Sequence, residues 1–253
     1  MSVNVRGAEP LLGSAACGHP AGRMPKILAV RSENQPGGQT KSDAERSFIE
    51  QARRAQIIDA AVETLAEHGF AKASLARIAQ RAGISKGVIS YHFAGKEELL
   101  ERLVEQVYER LGAFLAPRLT AQPDVAERLR TYVESLAEYM RDHRVQLEAL
   151  GEVFNNVRDA EGALRYGVAS SEPLYRFLEE TFREGQESGA FRPFDARVMA
   201  VTLQSGIDAM FAYWGAHPDH DLEAHAGELA DLFLHAMRGP GEGMRDDGVV
   251  GGT

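Results

Sequence analysis

The chain has 253 residues, 44% of them hydrophobic, and a formal net charge of −9 at pH 7. A chain of this length and apolar content can bury a core in one or two domains, and it holds no run of about 18 apolar residues that would indicate a membrane span. Its single cysteine, Cys17, excludes an intramolecular disulfide and is typical of a reducing compartment, so we expect a cytoplasmic protein.

The first forty-odd residues are rich in Gly, Pro, Ser and Ala and have neither a helical nor a strand period. They predict a disordered arm over residues 1–45, with Pro36 and the two glycines after it as a linker. Two questions stay open: whether translation starts at Met24, and whether the cations of the arm reach a DNA minor groove or serve only solubility. Those cations are Arg23, Lys26, Arg31 and Lys41.

A short helix and a glycine-centred turn are predicted from Ser74 onward. Ser74 is a good N-cap, and the apolar residues after it recur at helical spacing and face inward. Gly83 stands where the residue that ends a helix adopts a left-handed conformation, which a Cβ would penalise. The inward-facing residues are Leu75, Ile78 and Ala79.

A second short helix follows the turn, and its polar residues are left free. Ser85 can cap this helix, while Ile89 and Phe93, four residues apart, bury one of its faces. The pattern over 74–93 is typical of a helix-turn-helix whose second helix lies in a DNA major groove, although a helical hairpin inside a bundle has the same spacing. The free residues are Lys86, Gly87, Ser90, Tyr91 and His92.

The next helix opens with Lys96, Glu97 and Glu98. The two acids complement the positive end of the helix dipole, whereas the lysine does not. A cation beside free backbone N–H groups forms an anion site that fits a DNA phosphate, and the alternative is an ordinary solvated lysine.

The charge is distributed unevenly along the chain. Residues 46–100, which we call the head, carry 8 Lys/Arg and 6 Asp/Glu, whereas residues 101–253 carry 15 Lys/Arg and 27 Asp/Glu. A mildly basic head on an acidic remainder favours DNA binding through the head alone. Because the excess positive charge is small, we expect weak non-specific binding by one head and a need for two heads acting together.

Four pieces of the head resemble the N-terminal domain of the TetR family of transcriptional regulators. They are AQIIDAAVETLAEHGF (Ala55–Phe70), SLARIAQRAGIS (Ser74–Ser85), KGVISYHF (Lys86–Phe93) and GKEEL (Gly95–Leu99). The resemblance implies a three-helix DNA-binding head whose third helix reads the groove. It departs at Ser90, where the family often has a tyrosine.

The predicted DNA contacts follow from this pattern together with the resemblance. By position, the resemblance implies that Ser74 and Lys96 contact phosphates and that the free residues of the second helix face the DNA. The predicted set is Ser74, Arg77, Ser85, Lys86, Gly87, Ser90, Tyr91, His92 and Lys96.

Residues 101–238, which we call the body, are predicted to form a helical bundle, so the fold class is all-α. The helix opened at Lys96 should stop near Leu115, before Pro117, and residues 159–167 should be irregular. Five more helices are expected at 124–142, 145–157, 172–188, 195–216 and 222–237, followed by a disordered tail over 239–253.

The last two helices hold more apolar residues than one small bundle needs, which predicts that they meet their symmetry copy as a four-helix homodimer interface. In the resembled family the last two helices dimerise in this way. The alternative is that the helix at 195–216 is simply the centre of its own domain. The predicted interface residues are Leu203, Ile207, Met210, Phe211, Leu229 and Phe233.

Aromatic and amphipathic residues at helical spacing in the body indicate a cavity for an unidentified, partly apolar small-molecule effector, although aromatics in helices usually form core. The resemblance supports the effector, because such bodies commonly bind one that changes the spacing of the heads. The candidate contacts are Met140, Phe154, Asn155, Tyr175 and Trp214.

Catalytic and metal chemistry find little support. His217, His220 and His225 lie in a probable loop and helix start with no accompanying cysteine, and Asp221 fits a helix cap better than a ligand. The chain has no Gly-rich phosphate loop, GxSxG or HExxH. We therefore expect no enzyme, no metal site and no cofactor.

Together these features predict a homodimeric transcriptional regulator, a repressor rather than an activator, that binds an inverted-repeat operator in double-stranded DNA. The alternative from another class is a helical ligand-sequestering or interaction protein that keeps the head without specific DNA binding.

Overall fold

The computed structural model describes residues 41–239, which are almost entirely helical. The chain order is α1 (Lys41–His68), α2 (Leu75–Arg81), α3 (Lys86–His92), α4 (Lys96–Thr120), α5 (Val125–Asp142), α6 (Arg144–Asn156), a 3-10 turn (Val168–Ser171), α7 (Glu172–Glu187), α8 (Ala196–Ala216) and α9 (Leu222–Met237). The predicted all-α class is confirmed. The predicted linker at Pro36 and the tail from residue 240 lie outside the described residues.

The helix-turn-helix forms as the sequence predicts. Ser74 caps α2 by accepting the Arg77 N–H at 3.3 Å, and Gly83 has φ +67° in the turn between α2 and α3. Ile89 and Phe93 are buried in the apolar cluster of the head. Because α2 and α3 have only seven residues each, their stability comes from this packing rather than from helix propensity.

The head and the body share one core at their junction. The apolar cluster of the head continues past residue 100 along α4 to Val107, and it includes Ala149, Leu150 and Val153 of α6. The predicted boundary at residue 100 therefore falls inside α4, and the head is completed by residues of the body.

The remaining helices, α5, α7, α8 and α9, pack together with the second half of α4 and form a separate apolar cluster. Asp124, Asp195 and Asp221 cap α5, α8 and α9 by accepting a backbone N–H three residues on, as the predicted helix starts imply. Phe182 is fully buried and contacts the rings of Phe191 and Phe194 at the end of α7.

Two helix boundaries differ from the prediction. α4 continues through Pro117 to Thr120, because Leu115 and Leu119 on either side of the proline are buried in the body core and offset the cost of about 3 kcal/mol for a proline inside a helix. α1 begins at Lys41, inside the predicted arm, because the stretch from there to Ala55 has no Gly or Pro and extends a helix already nucleated by the head core.

No helix in the described range 41–239 is both long and apolar enough to cross a membrane.

Candidate nucleic-acid interface and body cavity

α3 presents a polar face to solvent. Lys86, Gly87, Ser90 and Tyr91 are exposed, and Tyr91 projects with 80% of its surface accessible. Ser85 begins the helix without a side-chain capping bond, so its hydroxyl is free for another partner. A Cβ at Gly87 would lie at an ordinary 3.6 Å from the Ser85 Oγ, so the packing of the protein itself does not require a glycine there.

His92 differs from the other predicted contacts because it is partly buried. Its ring meets that of Tyr91 edge-on at 5.0 Å, and its Nδ1 has no hydrogen-bond partner in the described part of the chain. Its backbone carbonyl accepts from Arg54, which also forms an ion pair with Glu98 and stacks on Phe93. Arg54 therefore fastens the end of α3 to α1 and α4, a role that no local pattern in the sequence indicates.

Lys96 is held in place rather than freely solvated. Its Nζ donates to the Phe70 carbonyl at 2.9 Å and lies 4.0 Å from the centre of the Phe70 ring, and burial lowers the pKa of the lysine. The Glu98 carboxylate accepts the Ala94 N–H at 2.7 Å, which fills part of the predicted anion site. Lys96 therefore has a fixed position at the start of α4, and its ammonium group can still donate further hydrogen bonds.

Three further cations in or beside the helix-turn-helix have no acidic partner in the part of the chain that the structure describes. Lys72, Arg77 and Lys86 are exposed and form no ion pair with any described residue, whereas Arg81 pairs with Glu63 and Glu67 of α1. The acids of α1 are thus partly neutralised by a neighbouring arginine. Of the three cations without an acidic partner, Lys86 lies on the exposed face of α3, where a polyanion can reach it.

A cavity of about 480 Å³ lies between α4, α5, α6, α7 and α8 of the body. Met140, Phe154, Asn155 and Trp214 all line it, so the structure brings four of the five predicted effector contacts together. Tyr175 is not part of the wall: it is buried beneath the Arg197 guanidinium, and its neighbour Leu174 faces the cavity instead. Adjacent residues on a helix point about 100° apart, which explains the difference.

The cavity wall also contains polar groups that the sequence prediction missed. Asp208 accepts the Gln204 side-chain N–H at 2.8 Å, and burial raises the pKa of this carboxyl. Burial likewise raises the pKa of the Tyr108 hydroxyl to about 12 and that of Tyr132 further, so both rings are neutral donors. The signal in the sequence was a polar pair, four residues apart, inside the otherwise apolar α8.

α6 connects the cavity to the head. Leu147, Gly151 and Phe154 face the cavity, whereas Val153 and Ala149 are buried in the head core. On the same helix, the Glu152 carboxylate accepts the Phe70 N–H at 2.7 Å, and the Phe70 carbonyl holds Lys96. A displacement of α6 by a molecule in the cavity would therefore act directly on the end of α1 and the start of α4.

The predicted interface residues of α8 and α9 are mostly buried within the chain itself. Leu203, Ile207 and Met210 are at most 1% exposed and belong to the body core, so their assignment to a dimer interface is wrong. Phe211 and Phe233 are also buried, and Leu229 is partly buried against Gly206. An apolar helical period shows that a face is covered, but it does not show by what.

Other large apolar residues of α8 and α9 do face outward. Val198, Tyr213 and Leu232 are 62%, 50% and 65% exposed. Around the histidines that follow α8, no group of three potential metal ligands comes together within the described residues, and Asp221 is the cap of α9.

Comparison with known proteins agrees with the geometry. Residues 57–103 match the family described as "Bacterial regulatory proteins, tetR family". The HTH-type transcriptional regulator BetI of Cronobacter sakazakii is 31% identical over 161 residues, which are 63% of this chain and 77% of that protein.

Two solved structures share the fold over most of the chain. FadR from Bacillus halodurans, a fatty acid degradation regulator, has 26% identity and a TM-score of 0.65, and the match covers 72% of this chain and 94% of FadR. A complex of SmeT with triclosan has 25% identity and a TM-score of 0.64, covering 76% of this chain and 94% of SmeT. SmeT is the repressor of a multidrug efflux pump of Stenotrophomonas maltophilia. The chain belongs to the TetR family, and it is a DNA-binding transcriptional regulator.

Proposed function

We propose that the protein is a ligand-responsive repressor that binds an inverted-repeat operator as a homodimer and leaves it when an effector occupies the body cavity. The observation that carries the proposal is α6, which has one side in the cavity and the other in the core of the head. A regulator of this kind needs a binding face, a cavity and a mechanical connection, and this chain has all three.

Operator recognition is assigned to α3. Lys86, Ser90 and Tyr91 are the exposed side chains that can meet base edges or phosphates, and Gly87 allows a close approach of the backbone. Ser74, Arg77, Ser85, His92 and Lys96 complete the proposed DNA contacts. The short α3 offers few contacts, which is why two heads related by two-fold symmetry are required.

Dimerisation is assigned to the outer faces of α8 and α9. The exposed Val198 and Tyr213 on α8 and Leu232 on α9 present apolar surface that a symmetry copy would cover. Between them α8 presents small side chains at helical spacing, which favour close helix packing. These are Thr202, Ser205 and Ala209.

Effector response is assigned to the cavity and α6. Binding in the cavity shifts the dimer toward a geometry in which the two α3 helices no longer fit successive major grooves, provided that the effector has different affinities for the two geometries. The SmeT repressor, solved with triclosan, is a relative of the same fold in which a small molecule is bound. Such a regulator acts in the compartment that holds the DNA, here the cytoplasm, and catalyses no reaction.

The experiment is a selection of binding sites from random double-stranded DNA, followed by fluorescence anisotropy on the selected site across a salt series. DNA from just upstream of the protein's own gene is tested in parallel. Lys86→Ala should weaken binding to the selected site about tenfold or more and change the selected sequence. Lys96→Ala should weaken binding to all sequences and flatten the salt dependence, because it removes a phosphate contact.

Arg183→Ala is the matched control, since Arg183 is an exposed arginine of the body that pairs only with Glu179 of its own helix. It should leave both affinity and salt slope unchanged. Failure of the wild-type protein to enrich any sequence, together with ligand binding in the cavity, would favour the ligand-sequestering alternative.

A further inference from the structure

Asp208 is a carboxylate without a counter-ion in the wall of the body cavity. It accepts one hydrogen bond from Gln204, and no arginine, lysine or histidine of the described residues lies within ion-pair distance of it. Its side chain is exposed at the edge of the wall, and partial desolvation raises the pKa of its carboxyl. The carboxylate is therefore accessible to a cation that enters the cavity, and it has no counter-ion among the described residues to compete for it.

Gln204 supplies a second, independent sign of a missing partner. The residue is only 6% exposed and lines the cavity, yet its Oε1 accepts no hydrogen bond from any described residue. A buried acceptor that stays unsatisfied costs about 1–3 kcal/mol, so such groups are usually bonded to a ligand or to water. The acceptors left unpaired at this point of the wall are the Gln204 Oε1 and the remaining lone pairs of the Asp208 carboxylate.

The other charges of the wall cancel each other. Arg144 pairs with Glu148 at 2.9 Å on α6, and its guanidinium lies 4.8 Å from the Trp214 ring. Tyr108 of α4 and Tyr132 of α5, which face Asp208, are neutral. The cavity therefore carries a net negative charge, located at Asp208.

We propose that the effector is an amphipathic cation, with an amine or ammonium group that pairs with Asp208 and an apolar body that fills the rest of the cavity. A protonated amine would also donate to the Gln204 Oε1. Aromatic faces suited to a cation surround the same space, and they belong to Tyr108, Phe154, Phe211 and Trp214. The volume of about 480 Å³ lies within the range of roughly 300–1,000 Å³ of sites for drug-sized ligands.

This inference rests on the proposed effector role of the cavity, and it excludes ligands whose head group is anionic. A carboxylate or phosphate beside Asp208 would place a second negative charge next to the first and would be repelled by it. A neutral ligand would leave Asp208 uncompensated and would gain no advantage from it.

The test uses three probes with the same ten-carbon chain: decyltrimethylammonium, decan-1-ol and decanoate, each below its micelle concentration. Trp214 is the only tryptophan of the chain and lines the cavity, so its fluorescence reports binding at this site. We expect the ammonium to bind at least tenfold more tightly than decanoate, with decan-1-ol between them.

Asp208→Asn should abolish this order, because it should weaken ammonium binding at least tenfold and leave the binding of decan-1-ol unchanged. Asp208→Glu keeps the negative charge and should keep the preference for the ammonium. Glu109→Gln is the matched control, because Glu109 is an exposed acid of α4 next to Tyr108 and outside the cavity wall. A preference for decanoate, or ammonium binding that is equally tight in Asp208→Asn, would overturn the inference. Anisotropy with DNA on the same preparations tests the proposed repressor role separately, since the fluorescence titration needs no DNA.

Discussion

The head and the body place their functional residues in opposite ways. In the head, most candidate contacts are exposed, and they lie close together in the sequence, on or beside α2, α3 and the start of α4. In the body, the candidate contacts line an internal cavity and come from five helices. Substitutions on α3 should therefore change binding without changing stability, whereas substitutions around the cavity and its supporting core should change both.

The largest effect is expected at Phe182, in the core that supports the cavity. Phe182→Ala removes a fully buried ring that contacts Phe191 and Phe194, and the cavity left behind should lower the free energy of unfolding by about 3–5 kcal/mol. Urea unfolding followed by circular dichroism measures the loss.

Phe48→Ala is the matched control, because Phe48 lies on α1 with 72% of its surface exposed. It should change the free energy of unfolding by less than about 0.5 kcal/mol. Equal losses in the two variants would mean that the body core is not packed as described.

The next effect is expected on the exposed face of α3. Lys86→Ala and Tyr91→Ala should each cost about 1–3 kcal/mol of binding to the operator, because each removes a side chain from the face that meets the DNA. Neither should move the thermal unfolding midpoint, since both residues are exposed and make no buried contact. A lower midpoint with unchanged DNA affinity would place the recognition surface elsewhere.

The comparison between the two regions also explains what the sequence could predict. The helix-turn-helix of the head was predictable because its signals are local: an N-cap at Ser74, a glycine at Gly83 and two apolar residues four apart. The predicted ends of the body helices agree with the structure to within one or two residues, except for the end of α4. There the burial of Leu119 outweighs the tendency of Pro117 to end a helix.

The cavity and the dimer face were harder to predict, because they depend on which side of each helix meets which neighbour. The apolar period of α8 predicts burial of Leu203 and Ile207, but only the three-dimensional packing shows that their partners lie in the same chain. Tyr175 was proposed as a cavity contact, but the packing of α7 places Leu174 in the wall instead. Asp208 was missed because a polar residue in an apolar helix has no meaning until its surroundings are known.

A third prediction returns to the head, where the turn at Gly83 needs a positive φ. No atom lies within 4 Å of a Cβ built there, so Gly83→Ala tests backbone strain alone and should lower the free energy of unfolding by about 1–2 kcal/mol. Gly95→Ala is the control, since Gly95 has equal space and an extended φ of 179°. Thermal unfolding of the two variants side by side distinguishes them, and equal stability would show that the turn tolerates a side chain.

The fourth prediction concerns the link between the two regions. Glu152→Ala removes the bond from α6 to the Phe70 N–H, while leaving the cavity wall and the face of α3 intact. We expect affinity for the operator and for the effector to change little when each is measured alone. The decrease in DNA affinity caused by the effector should shrink by about 0.5–2 kcal/mol, because the coupling between the sites is weakened.

Anisotropy with and without decyltrimethylammonium measures this difference. Glu187→Ala, at the exposed end of α7, is the control and should leave the coupling unchanged. A full response in Glu152→Ala would show that the signal reaches the head by another route, such as α4.

The smallest effect is expected at the surface of the body, where Glu172 at the start of α7 meets Arg197 of α8. Hydrogen bonds from Arg197 and then Arg176 hold the pKa of Glu172 at about 2, below its ordinary value of 4.5. Because the pKa is lower in the folded state than in the unfolded chain, the stabilisation is fully present above pH 4.5 and is lost as the pH falls toward 2.

The difference in urea midpoint between the wild type and Glu172→Gln should therefore be constant near neutral pH and shrink below about pH 4.5. Since both side chains are partly exposed to solvent, the difference should also shrink in about 1 M salt. A difference that persists at low pH and high salt would mean that Glu172 stabilises the junction of α7 and α8 through its packing rather than through its charge.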